Sequence, residues 1–119
     1  HKTKKGPGIF VFETHDSEVD LLSRIELYED ALHEAISERE PRFSGLEVDR
    51  HSGDLLAVAA RERVVLRLSR DGSRVAVIMR LDKNKHMQAE GIALTSDRRM
   101  LIADEGGNGR ARLAVYQLQ

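Results

Sequence analysis

The 119-residue chain has no cysteine, so it holds no disulfide, no thiolate metal ligand and no cysteine nucleophile. Tryptophan is absent too, and three Phe and two Tyr bring the aromatic share to only 4%. A core made from this sequence must rest on Leu, Ile, Val and Ala. No apolar run approaches the roughly 18 residues that span a bilayer, and the basic start has no hydrophobic stretch behind it. No membrane span is expected. Charge of one sign is also lacking, with 19 Lys and Arg against 20 Asp and Glu, a net charge of −1. That balance excludes a globally basic nucleic-acid binder. What remains is an ordinary folded composition, 40% hydrophobic and 33% charged, at the length of one domain.

Charge is unevenly spread: residues 1–12 and 51–119 are net basic, and 13–50 is strongly acidic. The acidic section holds the one helical pattern, within Tyr28–Glu40, where Leu32, Ala35 and Ile36 form a narrow apolar stripe and Pro41 follows. Everything else reads as short strands. Ile9–Glu13 and Val19–Leu27 can pair across a turn. A regular series follows at Gly45–Asp49, Leu55–Ala60, Val64–Ser69 and Val75–Leu81, with a strong turn signal at Asp71-Gly72. After the polar connector Asp82–Gln88 the series restarts at Gly91–Thr95, Met100–Asp104 and Arg112–Leu118. Such even spacing means antiparallel meanders.

The restart is an internal repeat. Ser44-Gly45-Leu46-Glu47-Val48-Asp49 aligns with Glu90-Gly91-Ile92-Ala93-Leu94-Thr95, and Leu55-Leu56-Ala57-Val58 with Met100-Leu101-Ile102-Ala103. The offset of about 45 residues suits the four-stranded blades of a β-propeller. A single meander cannot bury both its faces, so blades stack on neighbours. The all-apolar Leu55–Ala60 reads as an inner strand covered on both sides. The expected fold is therefore all-β, about two to two and a half propeller blades with one short helix in an insertion. Residues 1–41 read as the end of one blade plus the insertion, 42–81 as a complete blade, and 82–119 as a final, incomplete one. Missing N-terminal blades, or another chain, are expected to complete the propeller.

The segments Ser44-Gly45-Leu46, Gly53-Asp54-Leu55-Leu56-Ala57-Val58, Leu68-Ser69-Arg70-Asp71-Gly72, Ala89-Glu90-Gly91-Ile92-Ala93 and Leu101-Ile102-Ala103-Asp104-Glu105 carry a likeness. Together they resemble the C-terminal half of the SdiA-regulated family, bacterial β-propellers related in fold to NHL-repeat and lactonase-like propellers. The likeness covers about residues 42–119, and more loosely Gly6–Glu13. It implies a five- or six-bladed propeller, an extracytoplasmic or periplasmic place, and a poorly defined function.

Propeller geometry would gather Ser44, Glu90 and the loops 60–63, 82–89 and 104–110 on one face. Glu90 is the sharpest candidate, because a carboxylate at the start of an innermost strand can offer oxygen to a hard cation. The lactonase-type relatives use a similar Glu-Gly pair for Ca²⁺. The plain alternative is a carboxylate that accepts backbone or Arg hydrogen bonds and keeps neighbouring blades in register. Asp104 and Glu105 form a polar rim, or else close a turn with a salt bridge to Arg110 or Arg112. His86 is the one histidine near such a site, against the ordinary reading of a solvated loop residue. Arg61, with Arg63, Lys83 and Lys85, makes the face locally basic for an anion, or is simply hydrated.

The histidines form no zinc-hydrolase spacing, there is no G-x-S-x-G, and Gly107-Asn108-Gly109-Arg110 is no phosphate loop. The resulting expectation is a ligand- or partner-binding module, with a Ca²⁺-dependent lactonase- or phosphoesterase-like hydrolase as the alternative. In the first reading Ser44, Arg61, His86, Asp104 and Glu105 touch ligand; in the second Glu90 holds the metal.

Overall fold

Strands form where aliphatic and β-branched residues alternate between turn residues, and one helix forms where they do not. The computed structural model describes residues 5–38, 40–106 and 110–118. In chain order the elements are β1 (Lys5–His15), β2 (Glu18–Tyr28), α1 (Glu29–Ile36), β3 (Gly45–Val48) and β4 (Leu55–Ala59). They continue as β5 (Val64–Leu68), β6 (Val75–Arg80), β7 (Ala89–Leu94), β8 (Arg99–Asp104) and β9 (Arg112–Gln117). Three separate antiparallel sheets result: β1–β2, then β3–β4–β5–β6, then β7–β8–β9. The protein is all-β apart from the one helix. No described sheet closes on itself.

The repeat in the sequence is a repeat in register. Gly45 pairs with Val58 and Glu47 with Leu56; in the third sheet Gly91 pairs with Ala103 and Ala93 with Leu101. Strand β4 explains how the sheets stack. Its residues are all buried, but they alternate between two cores, because successive side chains point to opposite faces. Leu55, Ala57 and Ala59 join Ile25, Leu27, Leu32, Leu66 and Leu68 on the side of the β1–β2 hairpin and α1. Leu56 and Val58 join Val65, Ala89, Met100 and Ile102 on the side of the third sheet. Each fully buried aliphatic side chain contributes about 1.5–3 kcal/mol. Among the described residues the middle sheet is the one with both faces covered.

Helix α1 is shorter than its pattern. It stops at Ile36, before Pro41, because Ser37 turns left-handed (φ +57°) and its N–H donates to the His33 carbonyl at 2.8 Å. Only Leu32 is buried; Ala35 and Ile36 lie at the margin of the core. Asp71-Gly72 does turn the chain between β5 and β6, though within a longer loop. There Asp71 Oδ1 accepts the Ser69 and Ser73 hydroxyls and the Ser73 N–H. Gly72 has φ +79°, and a Cβ on it would lie 1.8 Å from the Glu26 carbonyl oxygen. This glycine is where the first and second sheets touch backbone to backbone.

Beyond the core the β1–β2 hairpin continues as an exposed ribbon, closed by the turn at Asp16 and Ser17. Phe10, Phe12, Val19, Leu21 and Leu22 are each more than half exposed there. The Arg24 guanidinium lies over the Phe10 ring at 5.3 Å. Among the described residues no helix is long and apolar enough to cross a membrane.

Candidate functional site

Strand β7 runs beside β3 and β4, so the starts of the two meanders meet. The Ser44 hydroxyl donates to the Ala89 carbonyl at 2.7 Å, one residue before Glu90. Glu90 is exposed and stands beside Glu105, whose N–H is tied to the Gln88 carbonyl at 2.9 Å. The negative charge of Glu105, and a hydrogen bond shared with it, push the Glu90 carboxyl above its ordinary pKa. Among the described residues no group of three or more His, Asp or Glu converges as a metal site.

Asp104 and His86 are brought together, in a way the sequence did not suggest. His86 is 3% exposed, and its Nδ1 lies 2.6 Å from Asp104 Oδ2 while its Nε2 lies 2.5 Å from the Tyr116 hydroxyl. The other Asp104 oxygen accepts the Gln88 N–H at 3.2 Å. A buried carboxylate needs such donors, since desolvation of a bare one would cost several kcal/mol. Burial and the nearby Asp104 charge raise the pKa of Tyr116. His86 is thus no solvated loop residue, and no described salt bridge joins Asp104 to Arg110 or Arg112. The triad pins the 82–88 connector onto the third sheet.

Arg61 does not join the cluster. It pairs with its neighbour Glu62, Nε to Oε2 at 2.6 Å, while the second Glu62 oxygen is buried without a hydrogen-bond partner. Gly107, Asn108 and Gly109, within the loop 104–110 read from the sequence, lie outside the described residues. A cleft of about 200 Å³ is lined by Lys85, Met87, Asp104, Glu105, Arg110 and Arg112. Its lining sets three cationic residues, Lys85, Arg110 and Arg112, against the two acids Asp104 and Glu105. A wider depression of about 730 Å³ lies elsewhere, between α1 and β6; it contains none of the predicted residues.

At the other end of β3 and β7 is a network that sequence reasoning missed. Asp49 is 1% exposed. It accepts Arg98 Nη1 at 2.7 Å, Arg67 Nη1 at 3.0 Å and the His51 N–H at 3.0 Å. Arg98, first among these, and Arg67 hold the Asp49 carboxyl well below the usual carboxylate range despite its burial. Asp49 and Arg98 come from equivalent turns of the two repeats. The signal was available in the repeat itself, where Gly53 (φ +83°) is matched by Arg98 (φ +68°), a residue costly in that conformation.

No family model, curated protein or solved structure matches the chain.

Proposed function

We propose that the chain is a segment of a bacterial, extracytoplasmic β-propeller and acts as a binding module for a small anionic ligand. One observation carries the reading: two meanders of identical register lie side by side, and the edge where they start gathers Ser44, Glu90, Glu105 and the cationic cleft. Stacked four-stranded units are the propeller arrangement, and a shared edge built from loops of successive units is where such proteins place ligands. The sequence likeness to SdiA-regulated propellers supports the placement outside the cytoplasm. In this reading Lys85, Arg110 and Arg112 bind the anion, and Asp104 with His86 holds the cleft wall rather than touching ligand.

Thermal unfolding in the presence of inorganic phosphate tests it. A ligand bound only by the folded state raises Tm by mass action. Phosphate should raise Tm above a chloride control of equal ionic strength, and R110Q/R112Q should abolish the difference. No rise, or a rise that survives in the variant, overturns the anion site. A rise with CaCl₂ that is lost in E90Q would turn the reading toward the metal-dependent hydrolase, since Glu90 and Glu105 together offer two of the six or more oxygens Ca²⁺ takes.

A further inference from the structure

The outer face of the third sheet repeats, in strand register, a face of the second sheet that is already covered, with Val115 in the place of Arg67. On the second sheet Gly45, Glu47, Leu56, Val58 and Val65 face the third sheet, and the last three are fully buried there. Their register equivalents are Gly91, Ala93, Leu101, Ala103 and Leu113, joined by Val115. Among the described residues no element covers these. Leu113 and Val115 are 63% and 55% exposed, and Ala93 and Ala103 are exposed as well.

The two glycines sharpen the point. A Cβ on Gly45 would sit 3.1 Å from the Glu90 carbonyl and 3.3 Å from Ile92 Cγ2, so β7 would have to give by a few tenths of an ångström to admit a side chain there. A Cβ on Gly91 would meet only Ala103, at 3.3 Å, on its own sheet. Gly91 keeps the clearance found at Gly45, with no described strand using it. The neighbouring positions differ: Ser44 donates across the first interface to Ala89, and a carboxylate, Glu90, occupies its place at the outer face.

We infer that the outer face of β7–β8–β9 is a docking surface for an antiparallel β-sheet of a partner polypeptide, its first strand passing over Gly91 as β7 passes over Gly45. The partner presents aliphatic side chains to Leu101, Ala103, Leu113 and Val115, and a hydrogen-bond donor or basic side chain to Glu90 and Glu105. This rests on the stacked-blade reading and names its next member. Continuity with the β3/β7 interface favours a sheet over a helix, since the element that passes over the equivalent Gly45 is the strand β7.

A tandem chain tests it: residues 1–117 followed directly by a second copy of residues 70–118, with Glu90→Ser and Thr95→Asp copying Ser44 and Asp49 into the outer sheet. Ala103→Cys reports cover of the face through the rate of thiol labelling. Labelling should be fast in the unextended chain and at least about tenfold slower in the tandem chain. An unchanged rate overturns the inference, as does an added segment that gains no strand signal by circular dichroism. Sedimentation of the unextended chain addresses self-association. A dimer that Leu113→Glu dissociates would assign the face to a second copy instead and overturn the partner sheet. Gly45→Val separates the two levels: if it is tolerated without loss of Tm, the stacked-blade reading itself fails, whatever the tandem chain does.

Discussion

Arg98 Nη1 donates to Asp49 Oδ1 at 2.7 Å, joining the same turn of two successive repeats across the sheet interface. The bond also accounts for Arg98 at φ +68°. A non-glycine residue there costs roughly 1–2 kcal/mol, which a charge-assisted hydrogen bond to a buried carboxylate, about 1.5–3 kcal/mol, offsets.

Asp49→Asn should therefore destabilise the protein by about 2–3 kcal/mol, below the 3–5 kcal/mol of a fully buried pair, because Arg67 and Arg98 keep 24% and 28% of their surface. Urea unfolding at pH 7 measures this. The Asp49 pKa is depressed in the fold, so its stabilisation is complete above the unfolded value near 3.9 and is lost as pH falls toward the folded one. The wild type should lose stability below about pH 4 more steeply than the Asn variant. Equal acid slopes would show that the carboxylate is not the group being titrated.

Removing members of the buried triad should give unequal costs. Tyr116→Phe takes one partner from His86 Nε2 and should cost about 1 kcal/mol. His86→Ala strips the donor from Asp104, itself 5% exposed, and should cost more, about 2–3 kcal/mol. Hydrogen exchange across 82–88 should accelerate in the alanine variant. Were His86 only a loop residue, both substitutions would be neutral.

Which parts were legible follows from range. The all-apolar run of β4 has one physical meaning, a strand covered on both sides, and the two cores bear that out. The β1–β2 pairing and the meander strands announce themselves through local turn residues. Helix α1 was found but its end was not, because Ser37 rather than Pro41 stops it. The triad was hidden for a different reason. His86, Asp104 and Tyr116 are far apart in sequence and meet only when the connector folds over β8 and β9. Asp49 was likewise read as the end of a strand, though its partners lie on β5 and in the next repeat. Local pattern sets elements; it carries no record of which polar groups will be buried together.

The glycines separate conformational cost from steric cost. Gly53→Ala should lose about 1–2 kcal/mol from the left-handed backbone alone, since the nearest neighbour is the flexible Arg70 side chain at 3.4 Å. Gly72→Ala adds a Cβ at 1.8 Å from the Glu26 carbonyl oxygen. Overpacking against backbone at an already strained φ belongs with the most severe substitutions, more than about 4 kcal/mol. Thermal unfolding should show a lowered Tm for the first and no cooperative transition for the second. Similar Tm values for both would mean that β2 can move away from the turn.

Glu90 and Glu105 set up the last expectation. Because the Glu105 charge raises the Glu90 carboxyl pKa in the fold, ionising Glu90 costs stability rather than adding it. The cost is absent below the unfolded value of about 4.3 and complete once pH has passed the higher folded one. Stability should therefore fall as pH rises through that window. Glu105→Gln removes the repelling charge, so carbon-detected NMR should show Glu90 titrating nearer its ordinary value. The variant should also gain Tm at pH 7 relative to wild type while matching it at pH 4. A donor brought to this pair, whether a cation or a basic side chain, should act in the same direction as the Gln substitution, by favouring the ionised form. If Glu90 titrates identically in the two proteins, the carboxylates do not face each other, and the edge they share with Ser44 is built differently from the one described.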